Sequence, residues 1–118
     1  MRIDPLACPT PRPARRTPAI RLREQLLELA GGRAAIVSHE EKAWASVTFA
    51  GTRHRLLLAF EGAEAVEAGE CFIAFLPEHE FAIAGQLVAD AAVTEVDHCL
   101  SPSPRLAVSC ELLLLEEA

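Results

Sequence analysis

QLVADAAVTEVD at residues 86–97 and RLAVSCELLLLEE at residues 105–117 decide how the rest of this chain is read. In the first run the alternate residues Leu87, Ala89, Ala91 and Val93 are apolar; in the second they are Leu106, Val108, Cys110, Leu112 and Leu114. A period of two is the mark of a strand, whose successive side chains point to opposite faces. The loop between them holds Pro102 and Pro104, so the two runs predict an antiparallel hairpin. A slip of one residue would move a whole apolar set to the wrong face. Setting Val93 against Cys110, Ala91 against Leu112 and Ala89 against Leu114 makes one face wholly apolar, and registers two residues to either side stay open. Val88, Asp90, Ala92, Thr94 and Val96 then share the opposite face with Leu115, Leu113, Glu111, Ser109 and Ala107. That face is too polar for a core and too apolar for plain solvent.

The 118 residues suit one domain, large enough to fold without metal or disulfide. Aromatic residues are five Phe and one Trp, with no Tyr, so the core is expected to be Leu, Val and Ala. Net charge is −6 and is unevenly spread. Residues 1–23 carry six Arg and one Asp, whereas residues 61–118 carry twelve acids and one Arg. An acidic body argues against nucleic acid or anionic membrane as its partner. Only the basic tail, through Arg12, Arg15 and Arg16, could serve nucleic acid. The four Cys show no CxxC spacing, which favours reduced thiols in a cytoplasm. No run of about 18 apolar residues could cross a membrane as a helix. Leu6-Ala7-Cys8 and Arg15-Arg16 lack the apolar segment of a lipoprotein or twin-arginine signal.

Residues 1–16, with four Pro and four Arg, are expected to be a flexible tail. Residues 17–118 form the domain. Thr17-Pro18 reads as an N-cap with proline in the first turn, and Gly31-Gly32 as a stop, so a helix is expected over about residues 18–30. Ala19, Leu22, Leu26, Leu29 and Ala30 form its apolar stripe, widened by Ile20 and Leu27. Arg23 falls inside that arc. It either lays its methylenes along the core edge or offers an anion-binding head at the mouth of a pocket.

Residues 34–39, 43–50 and 53–60 read as strands. Gly51-Thr52 has the form of a type II′ turn and would pair Val47 with Leu56 and Ala45 with Leu58. Trp44 then lies on the other face, exposed or covered by a partner. EGAEAVEAGE at residues 61–70 has Glu at every third position and reads as a short solvated helical turn. CFIAFL at residues 71–76 reads as a buried strand, Phe81–Ala84 as an extended lead-in, and Gly85 as a bend. The expected fold is α+β: one N-terminal helix on a curled antiparallel sheet of five or six strands in largely meander order.

Chemistry is thinly signalled. His39-Glu40-Glu41, Glu78-His79-Glu80 and Asp97-His98-Cys99 fall at expected loops. A zinc site could recruit His79, His98 and Cys99, but no local pair has ligand spacing, so neither metal nor cofactor is expected. Cys99 and His98 are neighbours that point to opposite sides, which rules out a thiol–imidazole pair. Asp90 among apolar neighbours could be a raised-pKa base. No phosphate-loop, dinucleotide, nucleophile-elbow or HExxH motif is present.

Two functions from different classes fit these residues. The first is a non-catalytic cytoplasmic binding or assembly module that self-associates through Trp44, Val88, Val96, Leu113 and Leu115. The second is a small-molecule binder or modest enzyme whose pocket between helix and sheet is edged by Arg23, His54 and His79. GQLVADAAVTEV followed by RLAVSCELLLLEE resembles the last two strands of hot-dog thioesterases, over about a quarter of the chain. That resemblance implies a hot-dog-like roll, a cystatin-like roll being its alternative, with a long helix ahead of those strands, where this chain has CFIAFLPEHEF.

Overall fold

The computed structural model describes residues 17–117. Its elements are α1 (Pro18–Leu29), β1 (Ala34–Ala45), β2 (Ala50–Glu61), α2 (Ala63–Phe75), β3 (Gln86–Cys99) and β4 (Arg105–Glu116), with a short 3₁₀ turn at Leu76–Glu78. The strands make one antiparallel sheet in the order β1-β2-β4-β3. The expected tail, residues 1–16, lies outside the described residues.

The first helix forms as its sequence requires. The Thr17 hydroxyl accepts a hydrogen bond from the Ile20 N–H at 3.2 Å, satisfying one of the donors left free at the helix start. Gly31 and Gly32, at φ of 70° and 72°, end it in the left-handed region. Leu22, Leu26 and Ala30 are buried on one stripe.

Among the described residues there are four strands rather than five or six, and two helices rather than one. The expected strand at residues 71–76 is the second half of α2, whose buried residues Ala65, Val66, Gly69 and Phe72 follow a helical stripe. A β-carbon at Gly69 would stand 2.6 Å from Leu106 Cδ2 and 3.0 Å from the Phe60 ring. The glycine therefore marks close approach of helix to sheet rather than a helix end. The second half of α2 could not be told from a strand by its short apolar run alone. Phe81–Ala84 belongs to no strand.

Residues 34–39 and 43–50 are not two strands either. β1 runs unbroken through His39-Glu40-Glu41 to Ala45, and the turn is Ser46–Phe49, where the Ser46 N–H donates to the Phe49 carbonyl at 2.7 Å. The Gly51-Thr52 turn is thus overturned. Gly51 sits inside β2, where a β-carbon would lie 2.0 Å from the Leu114 carbonyl oxygen of β4. Its lack of a side chain serves strand packing. Meander order fails as well. The α2 crossover carries the chain to the far edge, and β4 returns to lie between β2 and β3. A helix does precede the closing strands, as the hot-dog resemblance requires, but of 13 residues only.

The closing hairpin keeps its predicted register at its centre, with Ala91 opposite Leu112 and Val93 opposite Cys110. Irregularities between Val88 and Asp90, and between Val93 and Glu95, each insert a residue and reverse the alternation. Val88 and Val96 therefore oppose Leu114 and Val108 on the helix side, and do not share a face with Leu113 and Leu115.

Both helices lie on one side of the sheet. Their Leu22, Leu26, Val66 and Phe72 pack with Leu56, Leu58, Phe60, Leu106, Val108, Cys110, Leu112 and Leu114 in one core. Among the described residues, no layer lies over the outer side. They form a plate of 53 × 45 × 20 Å with a radius of gyration of 17.0 Å. A compact domain of this length would have about 13 Å.

Candidate functional site

The polar centre of the molecule lies where α1 crosses the β1–β2 hairpin. Ala34 and Ile36 face the helices opposite Phe60 and Leu58. A bulge between Ile36 and Ser38 then shifts the pairing, so His39 opposes Leu56 and Glu41 opposes His54. Without that extra residue, simple alternation would turn His39 and Glu41 to the outer side. The bulge re-aims them inward, as bulges beside functional sites often do.

Arg23 supplies the third side. Its Nε–H donates to His39 Nδ1 at 2.8 Å, which explains an arginine within the apolar arc of α1. His39 Nε2 lies 2.9 Å from His54 Nδ1, and the rings stand 5.1 Å apart. One proton arrangement satisfies both bonds. His39 Nδ1 accepts from arginine, so its proton sits on Nε2 and is donated to His54 Nδ1; the His54 proton must then sit on Nε2. Both rings are neutral in this chain. Burial, then the Arg23 guanidinium, holds His39 below the ordinary imidazole range, with Glu41 opposing. Burial, then His39, does the same for His54, again opposed by Glu41. His54 is the one charged or polar side chain buried among the described residues, at 2% exposure.

One donor atom from each of His39, Glu41 and His54 lies within 4.8 Å of the others. Beside them a cavity of about 310 Å³ is lined by Glu41, Thr52, His54, Gln86, Glu116 and the start of α1. Such a cluster can hold a proton in a defined place, bind a cation through neutral imidazoles, or present N–H groups to a polar ligand.

Of the residues expected around a pocket, Arg23 and His54 do converge, through His39. His79 does not join them; it packs edge-on against Phe81, ring centroids 4.6 Å apart. His39 and Glu41 are not marked in the sequence, because His39-Glu40-Glu41 reads as a loop. The available signal was the i, i+2 spacing of His39 and Glu41 inside a run that could extend to Ala45.

The other suggested groups do not assemble. His98 opposes Leu106 while Cys99 opposes Arg105, so the two point to opposite faces. Cys99 Sγ accepts from Arg105 at 3.8 Å, which lowers its thiol pKa, and donates to the Ser101 carbonyl at 3.0 Å. Asp90 is exposed rather than buried. The outer face has its own polar cluster, where Glu111 receives Arg55 at 2.9 Å and Arg53 at 3.4 Å. Trp44, Leu113 and Leu115 are on that face, but Leu113 and Leu115 are only 9% and 7% exposed. Arg12, Arg15 and Arg16 lie outside the described residues.

No family model and no curated protein matches the chain. Among solved structures it is similar to a chain of the "Virion of native gene transfer agent (GTA) particle", with a TM-score of 0.53 and 10% identity. The match covers 86% of this chain and 92% of that one. At that identity the likeness shows the fold alone. No helix among the described residues is long and apolar enough to cross a membrane.

Proposed function

We propose that this chain is a non-catalytic binding and assembly module whose outer sheet face takes a second copy of itself. The observation that carries the reading is the uncovered face of a plate only 20 Å thick. A four-stranded sheet that buries one side leaves the other as a surface for association. Trp44 and the half-exposed Leu87 supply its apolar area. The charges choose the occupant. Lys42, Arg53 and Arg55 outnumber Glu40 on the β1–β2 half, while Asp90, Glu95 and Asp97 lie on β3. A two-fold axis along the strands would set each acidic edge over the partner's basic half, a self-complementary contact. The similar chain belongs to a particle, which fits a role in assembly.

Sedimentation and light scattering of the full chain test this. A dimer is expected, dissociated by Arg53→Glu/Arg55→Glu and partly restored by adding Asp90→Arg/Asp97→Arg. A clean monomer at high concentration overturns the reading.

The small-molecule reading keeps one observation in its favour, the meeting of Arg23 and His54 beside the 310 Å³ cavity. Thermal shifts against a metabolite library, absent in His39→Gln, would support it, and a blank screen would remove it.

A further inference from the structure

We propose that His39 Nε2, His54 Nδ1 and a Glu41 carboxylate oxygen bind one divalent transition metal of the zinc class, the fourth position facing the 310 Å³ cavity. Residues i and i+2 of one strand share a face, and the directly opposed residue of the next strand shares it too. His39, Glu41 and its partner His54 are that set. The β1 bulge is what brings them to the enclosed side of the sheet.

The donors and distances suit zinc. Two imidazoles and a carboxylate are a familiar three-ligand set that leaves one place for water or a ligand. At about 2.0–2.1 Å from the metal, two tetrahedral nitrogens stand roughly 3.4 Å apart. The histidine nitrogens stand 2.9 Å apart, so they must separate by roughly half an ångström. The Glu41 carboxylate offsets the cation's charge, and the cavity has room for water at the open position.

One residue works against the metal. When a neutral His39 ligates through Nε2, its proton moves to Nδ1, the atom that now accepts from Arg23. Arg23 must therefore withdraw. It is exposed and can do so, at a cost in affinity. Glutamine in its place could accept the Nδ1 proton through its amide oxygen, the usual outer partner of a ligating histidine.

Full-length protein, stripped with chelator and exchanged into chelator-free buffer, is titrated with zinc sulfate by calorimetry. The expected result is one zinc per chain, bound at least roughly 10-fold more weakly by Glu41→Gln or His39→Gln, since loss of a ligand costs no less than loss of its outer partner, and more tightly by Arg23→Gln. Circular dichroism verifies that these variants fold, and all three positions are less buried than His54. Cobalt in place of zinc should give the visible bands of a four-coordinate nitrogen and oxygen site. No uptake, uptake that survives His39→Gln/Glu41→Gln, a thiolate-to-cobalt charge-transfer band, or binding unchanged or weakened by Arg23→Gln would each overturn the proposal.

Discussion

The two sides of the sheet are built from the same strands by the same alternation, yet they have opposite characters. On the helix side, Leu106, Val108, Cys110, Leu112 and Leu114 of β4 are at most 2% exposed. On the outer side, Ala107, Ser109 and Glu111 of β4 remain partly exposed although Leu113 and Leu115 are buried, and Glu111 is paired with Arg55 and Arg53 at the surface. Covering by helices makes this difference, since strand composition alone would predict much less of it. The contrast breaks down at one corner, where the helix side carries His39, Glu41 and His54 instead of leucine. A polar cluster around the buried His54 gives the fold less apolar burial there than leucine would, and it carries chemistry that leucine lacks.

The sharpest test of the contrast is paired truncation of two leucines on opposite faces. Leu112→Ala empties space in the core and should cost about 2–5 kcal/mol. Leu87→Ala, at a half-exposed site, should stay within about 0.5 kcal/mol. Urea unfolding of both variants, at concentrations where the proposed dimer is dissociated, measures the difference. Equal losses would then mean that the chain itself covers the outer face and would break the comparison.

Glycine substitutions come next. Gly51→Ala sets a β-carbon against backbone oxygen, which cannot yield without moving β4, and should cost at least about 1–3 kcal/mol. Gly69→Ala meets buried side-chain atoms of Leu106 and Phe60 rather than backbone, and alanine improves helix propensity by about 1 kcal/mol. Its net effect should be the smaller, as unfolding curves of the two variants would show. A larger loss at Gly69 than at Gly51 would put the tighter contact under α2 instead.

These two glycines also explain what could be read from the sequence. The first helix and the centre of the closing hairpin were legible because cap chemistry and alternation are local signals. Gly51 reads locally as a turn and Gly69 carries no local signal, because the cause of each lies in residues far along the chain, Leu114 and Leu106. Bulges were equally hidden. Nothing near Ala89 or Val37 marks an inserted residue, yet each insertion decides which way its strand's later side chains point. Half of the polar site was visible, since Arg23 stood out as a charge in an apolar arc and His54 lay on a strand. His39 and Glu41 needed the bulge to become its neighbours.

Acid should separate the two faces by where stability is lost, with smaller effects than any truncation. In chelated protein, His39 and His54 titrate below the ordinary value of 6.5 because burial, Arg23 and each other's proximity disfavour the charged rings, against the pull of Glu41. The unfolded chain therefore takes up protons first, so stability falls as pH drops below about 6.5 and stops falling once the folded rings also protonate. On the outer face, hydrogen bonding from Arg55, with Arg53 adding, holds Glu111 below its ordinary 4.5. Its contribution is complete above that value and is lost only as pH falls further, through the folded value. Cys110, pushed up to about 12 by burial, stays protonated throughout and adds nothing. Denaturation midpoints between pH 7.5 and 3 should thus decline in two stages, the first reduced in His39→Gln and the second in Glu111→Gln. A midpoint that holds level from pH 7 to 5 would show that the histidines are as solvated when folded as when unfolded, and the helix side would lose its claim to a buried polar corner.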